Sequence, residues 1–430
     1  MKSYILTFLV FLLVLKLSAQ DAAWIYYNTS NSELPSDFVS WVATAPNGDI
    51  IIGTYNAGLA IFDGTNWTVF DKNNSNIPFK DIRYVSTNKD GYIYVSSQNN
   101  GGAFFNGTEW DTILTVGLNS QINNFEPMIF AQDGNLWAGL HRYSGIRKGY
   151  GIGKFDGEKW QQFGIDTSNT NLSKDDIWDF KFDKSGNIWL ATIKGLVKFK
   201  DTVCFVYDTS NGLPSTYVSD VEIDSKGKIY CTAGYNLCVF DGTSWRSYNS
   251  SNSILPDDPN EQIYDLLIDN DDNLWLGTYT HGLYKFDGTS FINYKMSNSG
   301  IIDNYVANLS LDSTGRIWIV SGNFLGVSVL NPKVTTIEQN NGGEEIIINL
   351  LPNPMLDYSR ISYKLCNYSY IKMSLFNSIG EEIAILKEGW FNAGEHYAEL
   401  SKADLNLTPG IYFIKFDTGK MTITKSFVLL

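Results

Sequence analysis

An all-β fold built from repeated small sheets is predicted by three features of the sequence. A tight turn followed by an apolar strand recurs seven times, for example in residues 47–54 (NGDIIIGT) and 185–192 (SGNIWLAT). A second pattern, FDGTNW or a variant of it, follows in most repeats. In addition, Asp-Gly and Asn-Gly pairs stand between alternating apolar residues. This is the strongest short signal for two-residue hairpin turns, in which both central residues have positive φ.

The period of the repeat sets the architecture. The turn residue is Gly48, Gly91, Gly134, Gly186, Gly227, Asp272 and Gly315 in the successive units, with spacings of 43, 43, 52, 41, 45 and 43 residues. Four short antiparallel strands in roughly 40 to 45 residues are typical of one β-propeller blade. Seven units therefore predict a seven-bladed β-propeller over residues 20–331.

The two ends of the repeat region indicate how the ring closes. The seventh unit stops at Leu330 without a fourth strand, and an isolated apolar segment, Trp24–Tyr27, precedes the first unit. Trp24 falls in the column of the fourth strand, which also holds Trp67, Trp110, Trp160, Phe205, Trp245 and Phe291. We expect the N-terminal strand to complete the last blade and so to remove two open sheet edges.

The segments outside the repeats predict export and a second module. Residues 1–19 combine Lys2, an apolar run from Tyr4 to Leu15 and a small residue, Ala19, before the expected cleavage point. This is the layout of a secretory signal peptide, and its apolar run of about 12 residues is short for a membrane span. Residues 332–348 are polar and are interpreted as a linker, and the short strands of residues 349–430 predict a small C-terminal β-sandwich.

Composition limits the partners. Of 430 residues, 46 are acidic and 32 are basic, which gives a net charge of −14, and no block of Lys and Arg occurs. Nucleic acids and anionic membranes are therefore not expected as partners, because both require clustered positive charge. Three His and four Cys predict neither a metal site nor a cofactor. Cys231 and Cys238 either pair across a hairpin after export or, as we favour, serve as small apolar residues in strands.

The repeat resembles a known family at particular residues. The segments 186–192 (GNIWLAT), 273–278 (NLWLGT) and 282–288 (GLYKFDG) are similar to the two-component regulator propeller repeat, and the resemblance extends over roughly residues 20–331. It implies a relationship to extracytoplasmic domains of hybrid histidine kinases that respond to carbohydrate fragments. No membrane helix, kinase or DNA-binding module follows the repeats here, so direct signalling is not expected.

The C-terminal module resembles another family. Its matching segments are 352–354 (PNP), 375–380 (LFNSIG), 393–396 (AGEH), 409–413 (PGIYF) and 425–430 (KSFVLL). They are similar to the type A C-terminal sorting domain of the type IX secretion system. The resemblance implies passage through the periplasm, export across the outer membrane, and release or attachment at the cell surface. The secretion machinery is then a partner through residues 349–430, with no membrane span.

Ligand binding is expected on the face that carries the variable loops. Tyr55, Tyr279 and His281 lie in such loops, and unit three has a longer one that holds a basic and aromatic cluster. Its members are His141, Arg142, Tyr143, Arg147, Lys148 and Tyr150. Arginine binds carboxylate or sulfate groups and tyrosine stacks on sugar rings, so the cluster predicts a site for an acidic polysaccharide. The alternative is a solvated hairpin extension.

Three aspartates occupy one column just inside the first strand of adjacent units. Asp179, Asp220 and Asp265 are expected around the mouth of the central channel, as a calcium site, a saccharide-binding set or a general acid and base pair. We favour a simpler interpretation, in which each carboxylate accepts hydrogen bonds from its own inter-blade loop.

Two functions remain open. The favoured one is a secreted or cell-surface, non-catalytic module that binds a glycan or a protein. The alternative is a polysaccharide-cleaving hydrolase or lyase, for which His141 and His281 or the three aspartates would supply the catalytic groups. A purely structural surface protein is a third possibility. Motifs of serine hydrolases, zinc peptidases and nucleotide-binding loops are absent from the sequence, so no catalytic residue is assigned.

Overall fold

The computed structural model consists of β-strands joined by turns. It describes residues 24–113, 115–143, 147–163, 177–200, 203–256, 261–297, 299–331, 348–351, 355, 357–365, 367–377, 381–408, 410–419 and 422–429. The predicted signal peptide and nearly all of the predicted linker lie outside these residues. No helix among the described residues is long and apolar enough to cross a membrane. The prediction of an all-β protein is confirmed.

The described residues of the repeat region form seven antiparallel sheets of four strands each. Sheet 1 contains β2 (Val39–Thr44), β3 (Ile50–Thr54), β4 (Leu59–Phe62) and β5 (Trp67–Phe70). Sheet 2 contains β6 (Tyr84–Thr87), β7 (Ile93–Ser97), β8 (Gly101–Phe105) and β9 (Trp110–Thr112). Sheet 3 contains β10 (Asn124–Phe130), β11 (Leu136–Tyr143), β12 (Arg147–Phe155) and β13 (Trp160–Phe163). Sheet 4 contains β14 (Ile177–Phe182), β15 (Ile188–Thr192), β16 (Gly195–Lys200) and β17 (Val203–Tyr207).

The other three sheets follow the same order, and the last one includes the first strand of the chain. Sheet 5 contains β18 (Val221–Ile223), β19 (Ile229–Ala233), β20 (Asn236–Phe240) and β21 (Trp245–Tyr248). Sheet 6 contains β22 (Ile263–Ile268), β23 (Leu274–Thr278), β24 (Leu283–Phe286) and β25 (Phe291–Tyr294). Sheet 7 contains β26 (Val306–Leu311), β27 (Ile317–Ser321), β28 (Val327–Leu330) and β1 (Trp24–Tyr27).

Neighbouring sheets contact one another through their first strands. Each first strand lies beside the first strand of the following sheet, and β26 of sheet 7 lies beside β2 of sheet 1. At the outer edge of sheet 7, β1 pairs antiparallel with β28, with Trp24 opposite Leu330. Apolar side chains fill the spaces between sheets. In one such core, Trp318 and Val327 of sheet 7 pack with Val42 of sheet 1.

The recurring turn between the first two strands depends on a left-handed backbone residue. Gly48 has φ +93° and the equivalent Asp272 has φ +61°. Aspartate tolerates this conformation better than most non-glycine residues. The Asp272 side chain accepts hydrogen bonds from both the backbone amide and the hydroxyl of Ser225, which lies in the corresponding turn of sheet 5. The repeat therefore survives the replacement of glycine in unit six.

The turn before the fourth strand differs from the prediction. Asp63 donates its backbone N–H to the carbonyl of Asn66, so the central residues are Gly64 and Thr65 rather than Asp63 and Gly64. Gly64 has φ +95°, and neither Asp63 nor Thr65 has positive φ. The Asp63 carboxylate accepts the backbone N–H groups of Thr65 and Asn66, and this local bonding moves the turn by one residue.

The fourth-strand column also needs one correction. Trp67 lies opposite Phe62, the last residue of β4, but the residue opposite Phe199 in sheet 4 is Cys204 and not Phe205. Successive strand residues point to opposite faces, so Phe205 is turned outward and is 53% exposed. Unit four lacks the Asp-Gly or Asn-Gly pair that units one, two, three, five and six have at this turn.

The C-terminal module has two sheets. One has the order β29 (Ile348–Leu351), β30 (Tyr358–Leu365), β33 (Gly394–Ser401). The other has the order β32 (Glu382–Phe391), β31 (Ser369–Phe376), β34 (Gly410–Asp417), β35 (Thr422–Leu429). One core joins them, in which Ile361 and Leu400 of the first sheet pack with Met373 and Phe416 of the second.

Two cysteines face each other inside sheet 5. Cys231 of β19 lies opposite Cys238 of β20, and both are fully buried free thiols. Both belong to an apolar core that also contains Trp189 of sheet 4. The structure therefore shows them as small buried residues of neighbouring strands, which is the alternative favoured from the sequence.

Candidate functional site

A cavity of about 340 Å³ lies where the first strands of the sheets begin. Its lining residues are Ser40, Trp41, Tyr55, Arg83, Tyr84, Glu126, Pro127, Trp178, Asp179, Tyr217, Ser219, Asp220, Gln262, Ile263, Tyr264, Asp265, Tyr305 and Ala307. The volume is within the usual range for small-ligand sites in proteins. The column that contains Asp179, Asp220 and Asp265 thus converges on one cavity.

Bulges in the first strands determine which residues reach this cavity. In sheet 4, Ile177 and Asp179 pair with successive residues of β15, so Trp178 is an extra residue in β14. The same shift makes Tyr264 the extra residue in sheet 6. A bulge interrupts the alternation of side chains between two faces. Consecutive residues of these strands therefore line the cavity: Trp178 and Asp179 of β14, and Ile263, Tyr264 and Asp265 of β22.

The aspartates connect neighbouring sheets. Asp220 accepts a hydrogen bond from the backbone amide of Leu266 in sheet 6 at 2.6 Å. Asp265 accepts one from Leu309 in sheet 7, also at 2.6 Å. These carboxylates bond to the strand of the next sheet and not to their own loop. The observed donors are thus strand amides of the next sheet, whereas the interpretation favoured from the sequence expected donors in each aspartate's own inter-blade loop.

The third aspartate has different surroundings. The Nζ of Lys181 is 3.5 Å from Asp179 Oδ2 and 3.0 Å from Glu222 Oε1. The same Asp179 oxygen is buried and has no hydrogen-bond partner among the described residues. Several carboxylates therefore share the neighbourhood of one ammonium group.

Burial is the largest influence on the pKa values of Asp220, Asp265, Glu222 and Lys181. It raises the pKa of Asp220, and the nearby charge of Asp179 adds to the increase. It also raises the pKa of Asp265 and of Glu222, although Lys181 opposes both shifts. Burial alone lowers the pKa of Lys181, but Asp179 and Glu222 raise it well above its ordinary value. The lysine is therefore charged, and Asp220, Asp265 and Glu222 are easier to protonate than in water.

Aromatic rings surround the mouth. Tyr264 lies 5.1 Å from Tyr305 between ring centroids, and Tyr279 lies 4.8 Å from Tyr305. Trp178 and Tyr217 form a second pair at 6.1 Å. The side chains of Tyr217, Tyr264 and Tyr279 are 36%, 38% and 41% exposed. The rings thus combine fixed positions with open faces, as stacking platforms for a ligand require.

One cation also lies at the mouth. The guanidinium of Arg83 sits 4.5 Å from the ring centroid of Tyr55, and its Nε is 2.8 Å from Asp81. Phe324 contacts Tyr55 edge-to-face at 5.6 Å and stacks on Phe38 at 4.9 Å. Tyr55, which the sequence predicts as a ligand contact, is therefore part of the cavity lining and of an aromatic cluster.

The structure separates the basic cluster of unit three into residues on a hairpin and two buried residues. Arg142 and Lys148 are opposite each other on the hairpin of β11 and β12, and the exposed Tyr143 lies opposite Arg147. His141 and Tyr150 are buried instead. His141 Nε2 contacts the Glu126 carbonyl oxygen at 2.5 Å, and the Tyr150 hydroxyl donates to Gln121. The predicted role of these two residues as accessible ligand contacts is corrected.

The two histidines considered for catalysis lie in separate surroundings. His281 is half-buried, and its Nδ1 contacts the buried carboxylate of Glu261. Glu261 also accepts the backbone N–H groups of Tyr279 and Thr280, so it fixes the loop that carries Tyr279. Neither His281 nor His141 is among the residues that line the cavity.

Sequence reasoning missed several lining residues and the ion pair below them. Trp178, Tyr217, Tyr264 and Tyr305 were not predicted, nor was the pairing of Lys181 with Glu222. Within the part of the chain that the structure describes, no group of three or more His, Cys, Asp or Glu side chains is arranged to hold a metal ion. Trp178 and Tyr264 each stand directly before one of the aspartates in the sequence, so the position before the aspartate column would have identified these two aromatic residues.

Solved structures with a similar fold support the architecture. The extracellular domain of BT3049 from B. thetaiotaomicron, described as a putative hybrid two component system, is 15% identical to this chain with a TM-score of 0.59. The match covers 95% of this chain, which spans 57% of that domain's length. YCF48 from Cyanidioschyzon merolae is 14% identical, with a TM-score of 0.50 and coverage of 73% of this chain and 99% of that one. These likenesses show the fold alone.

A further structure, YCF48 bound to D1 peptide, is 11% identical with a TM-score of 0.50, covering 72% of this chain and 96% of that one. A comparison with curated proteins found no match. Family models match two regions, as two component regulator propeller over residues 248–280 and as secretion system C-terminal sorting domain over residues 349–430. The chain is thus an all-β protein with a two component regulator propeller repeat and a secretion system C-terminal sorting domain.

Proposed function

We propose that this chain is a secreted or cell-surface seven-bladed β-propeller that binds a glycan at the aromatic mouth of its central cavity. The seven sheets are the blades, over residues 20–331. The closed series of contacts between first strands and the pairing of β1 with β28 support a ring completed by the N-terminal strand. Residues 332–348 are the linker, and residues 349–430 are the sorting module.

Export is the first part of the proposal. The sorting-domain match over residues 349–430 supports recognition by the type IX secretion machinery. Residues 1–19 act as the signal peptide that delivers the chain to the periplasm, and the machinery then carries it across the outer membrane. The likeness to the extracellular BT3049 domain agrees with a location outside the cell.

The observation that carries the binding proposal is the cavity with its aromatic rim. Sugars present flat faces of C–H groups together with hydroxyls, and exposed aromatic rings beside polar groups suit both. Tyr264 and Tyr217 supply exposed rings, and the aspartates and Gln262 supply polar atoms at the same cavity.

A glycan array followed by titration tests the binding site. We expect the purified chain to bind a defined set of oligosaccharides, and Tyr264→Ala to weaken the strongest binding by about tenfold, which is about 1.4 kcal/mol. Tyr92→Ala is the matched control, since Tyr92 is 36% exposed in the turn after β6, at the other end of a first strand. An array without any bound glycan, or equal losses in both variants, would contradict the proposal.

The enzymatic alternative is favoured by one observation. Burial and the charge of Asp179 raise the pKa of Asp220, and two carboxyl groups with different proton affinities are what glycoside hydrolysis requires. Incubating the chain with each glycan that binds, and measuring new reducing ends, tests this alternative. We expect none. Release of reducing ends that Asp220→Asn abolishes would replace binding by hydrolysis as the function.

The exposed part of the basic hairpin is a second candidate surface. Arg142 and Lys148 lie opposite each other there and carry positive charge on an acidic chain. An acidic polysaccharide is the ligand of this surface, because Arg and Lys both pair with carboxylate and sulfate groups. Arg142→Ala combined with Lys148→Ala should abolish binding of acidic polysaccharides on the array and leave the melting temperature unchanged. Retained binding would remove the hairpin from the site.

A further inference from the structure

We propose that the cavity binds an organic cation, namely the protonated amine of an amino sugar within a glycan. This inference rests on the proposed function, because it specifies the ligand class of the same cavity. Three properties of the site lead to it: the balance of charges, the aromatic rings around the mouth, and the hydrogen-bond acceptors of the buried carboxylates.

The charges around the cavity leave carboxylates in excess. Arg83, the cation among the lining residues, is paired with Asp81, and Lys181 is shared between Glu222 at 3.0 Å and Asp179 at 3.5 Å. One ammonium group therefore faces Asp179, Glu222, Asp220 and Asp265. Buried negative charge with too little counter-charge is costly, and the raised proton affinity of Asp220 and Asp265 is the consequence. A ligand cation would supply the missing charge.

The acceptors are suitable for an ammonium group. An ammonium has three donors and no acceptor. Asp179 Oδ2 is a buried oxygen that lies 3.5 Å from Lys181 Nζ and accepts no hydrogen bond from the described residues, so it can accept a donor from the ligand beside the lysine. The bonds from Leu266 to Asp220 and from Leu309 to Asp265 each occupy a single oxygen, Oδ2 in both carboxylates.

The aromatic rings favour the same charge. The face of an aromatic ring is negative, and cations bind within about 6 Å of its centroid. The site already contains such an arrangement, since Arg83 lies 4.5 Å from the Tyr55 centroid. Trp178, Tyr264 and Tyr305 bring further rings to the same cavity. An anionic sugar would be repelled by both the rings and the carboxylates.

An amino sugar matches the site better than a lysine side chain. Both carry an ammonium, but only the sugar also has a flat ring face for the exposed rims of Tyr217 and Tyr264. A volume of about 340 Å³ is at the small end of ligand sites, which suits one monosaccharide unit inside the cavity with its neighbours outside.

Titration calorimetry with two matched ligands tests the inference. The purified full chain is titrated at pH 6 with the glucosamine hexasaccharide and with its fully N-acetylated form, in which neutral amides replace the charged amines. We expect the amine form to bind at least about tenfold more tightly. We also expect Asp179→Asn to weaken its binding by about tenfold, while the exposed Asp111→Asn of β9 leaves it unchanged. Thermal melting verifies that both variants are folded.

Three results would overturn the inference. They are equal affinity for the two hexasaccharides, unchanged amine binding in Asp179→Asn, and binding of a lysine-rich peptide as tight as that of the amine sugar. The comparison of the two hexasaccharides uses only the parent chain, so it tests the inference even if a variant does not fold. If neutral glycans bind and Tyr264→Ala removes that binding, the proposed function stands although this inference fails. If no glycan binds, both fail.

Discussion

The carboxylate of Asp265 accepts a hydrogen bond of 2.6 Å from the backbone amide of Leu309, which belongs to the next sheet. Asp220 makes the same contact with Leu266, and the side chain of Asn308 accepts the amide of Val42 at 2.9 Å. Short polar side chains in one repeat column thus join sheets 5, 6, 7 and 1 in sequence. The carboxylates at the candidate site are also part of the structural framework.

This double role predicts that Asp265→Ala is destabilising and that Asp265→Asn is tolerated. Alanine leaves the amide of Leu309 without an acceptor in a buried position, which costs about 1–3 kcal/mol, whereas the asparagine oxygen still accepts the bond. Urea unfolding of both variants measures the difference. Equal stability of the two variants would mean that the hydrogen bond has no net contribution.

The pKa of Asp220 predicts a pH-dependent effect of Asp220→Asn. Burial raises the folded-state pKa, so the folded chain holds this proton more tightly than the unfolded chain. The stabilising contribution is complete below the unfolded pKa of about 3.9 and is lost as the pH rises through the folded value. Asparagine carries no charge at any of these pH values, so the variant avoids this loss. We expect it to be more stable than the parent at pH 8 and to show a smaller gain at pH 5.

Melting temperatures at several pH values provide the measurement. The comparison uses Asp111→Asn, an exposed aspartate of β9, as the control for removing one negative charge from an acidic chain. A stability difference for Asp220→Asn that does not change with pH would show that the carboxyl group has the same pKa in the folded and unfolded states.

The pairing of β1 with β28 predicts a large effect of Trp24→Ala. Trp24 is 4% exposed, lies opposite Leu330 and packs at 5.9 Å from the ring of Tyr294. Truncating a buried tryptophan costs about 3–5 kcal/mol. The control is Phe205→Ala, because Phe205 is an aromatic residue of another fourth strand but is 53% exposed. Chemical unfolding with similar losses in both variants would argue against a structural role of β1.

The sorting module predicts where a truncated chain accumulates. Removing residues 349–430 should leave the propeller folded, because the described apolar cores of the repeat region contain no residue from that module. The truncated chain should remain in the periplasm, and the full chain should reach the cell surface or the medium. Immunoblots of fractionated cells measure the distribution. A truncated chain found outside the cell would refute the role of residues 349–430 in export.

Local sequence patterns were sufficient to predict the repeat, the strands and the export module. Strand alternation and turns are local: the left-handed residue at Gly48 or Asp272 and the apolar strand after it are encoded within a few residues. The sorting motifs are likewise short and contiguous. The period of the repeat then indicated how many sheets to expect, and the aspartate column identified three residues that line the cavity.

The composition of the site, in contrast, depends on contacts between strands and between sheets. The extra residues Trp178 and Tyr264 reach the cavity because a bulge changes their direction, and a bulge depends on pairing with the next strand. The burial of His141 and Tyr150 likewise depends on packing between sheets, so their residue types alone suggested accessible contacts. The partners of Asp220 and Asp265 lie more than 40 residues away along the chain, because each hydrogen bond joins neighbouring sheets that come into contact only in the folded protein.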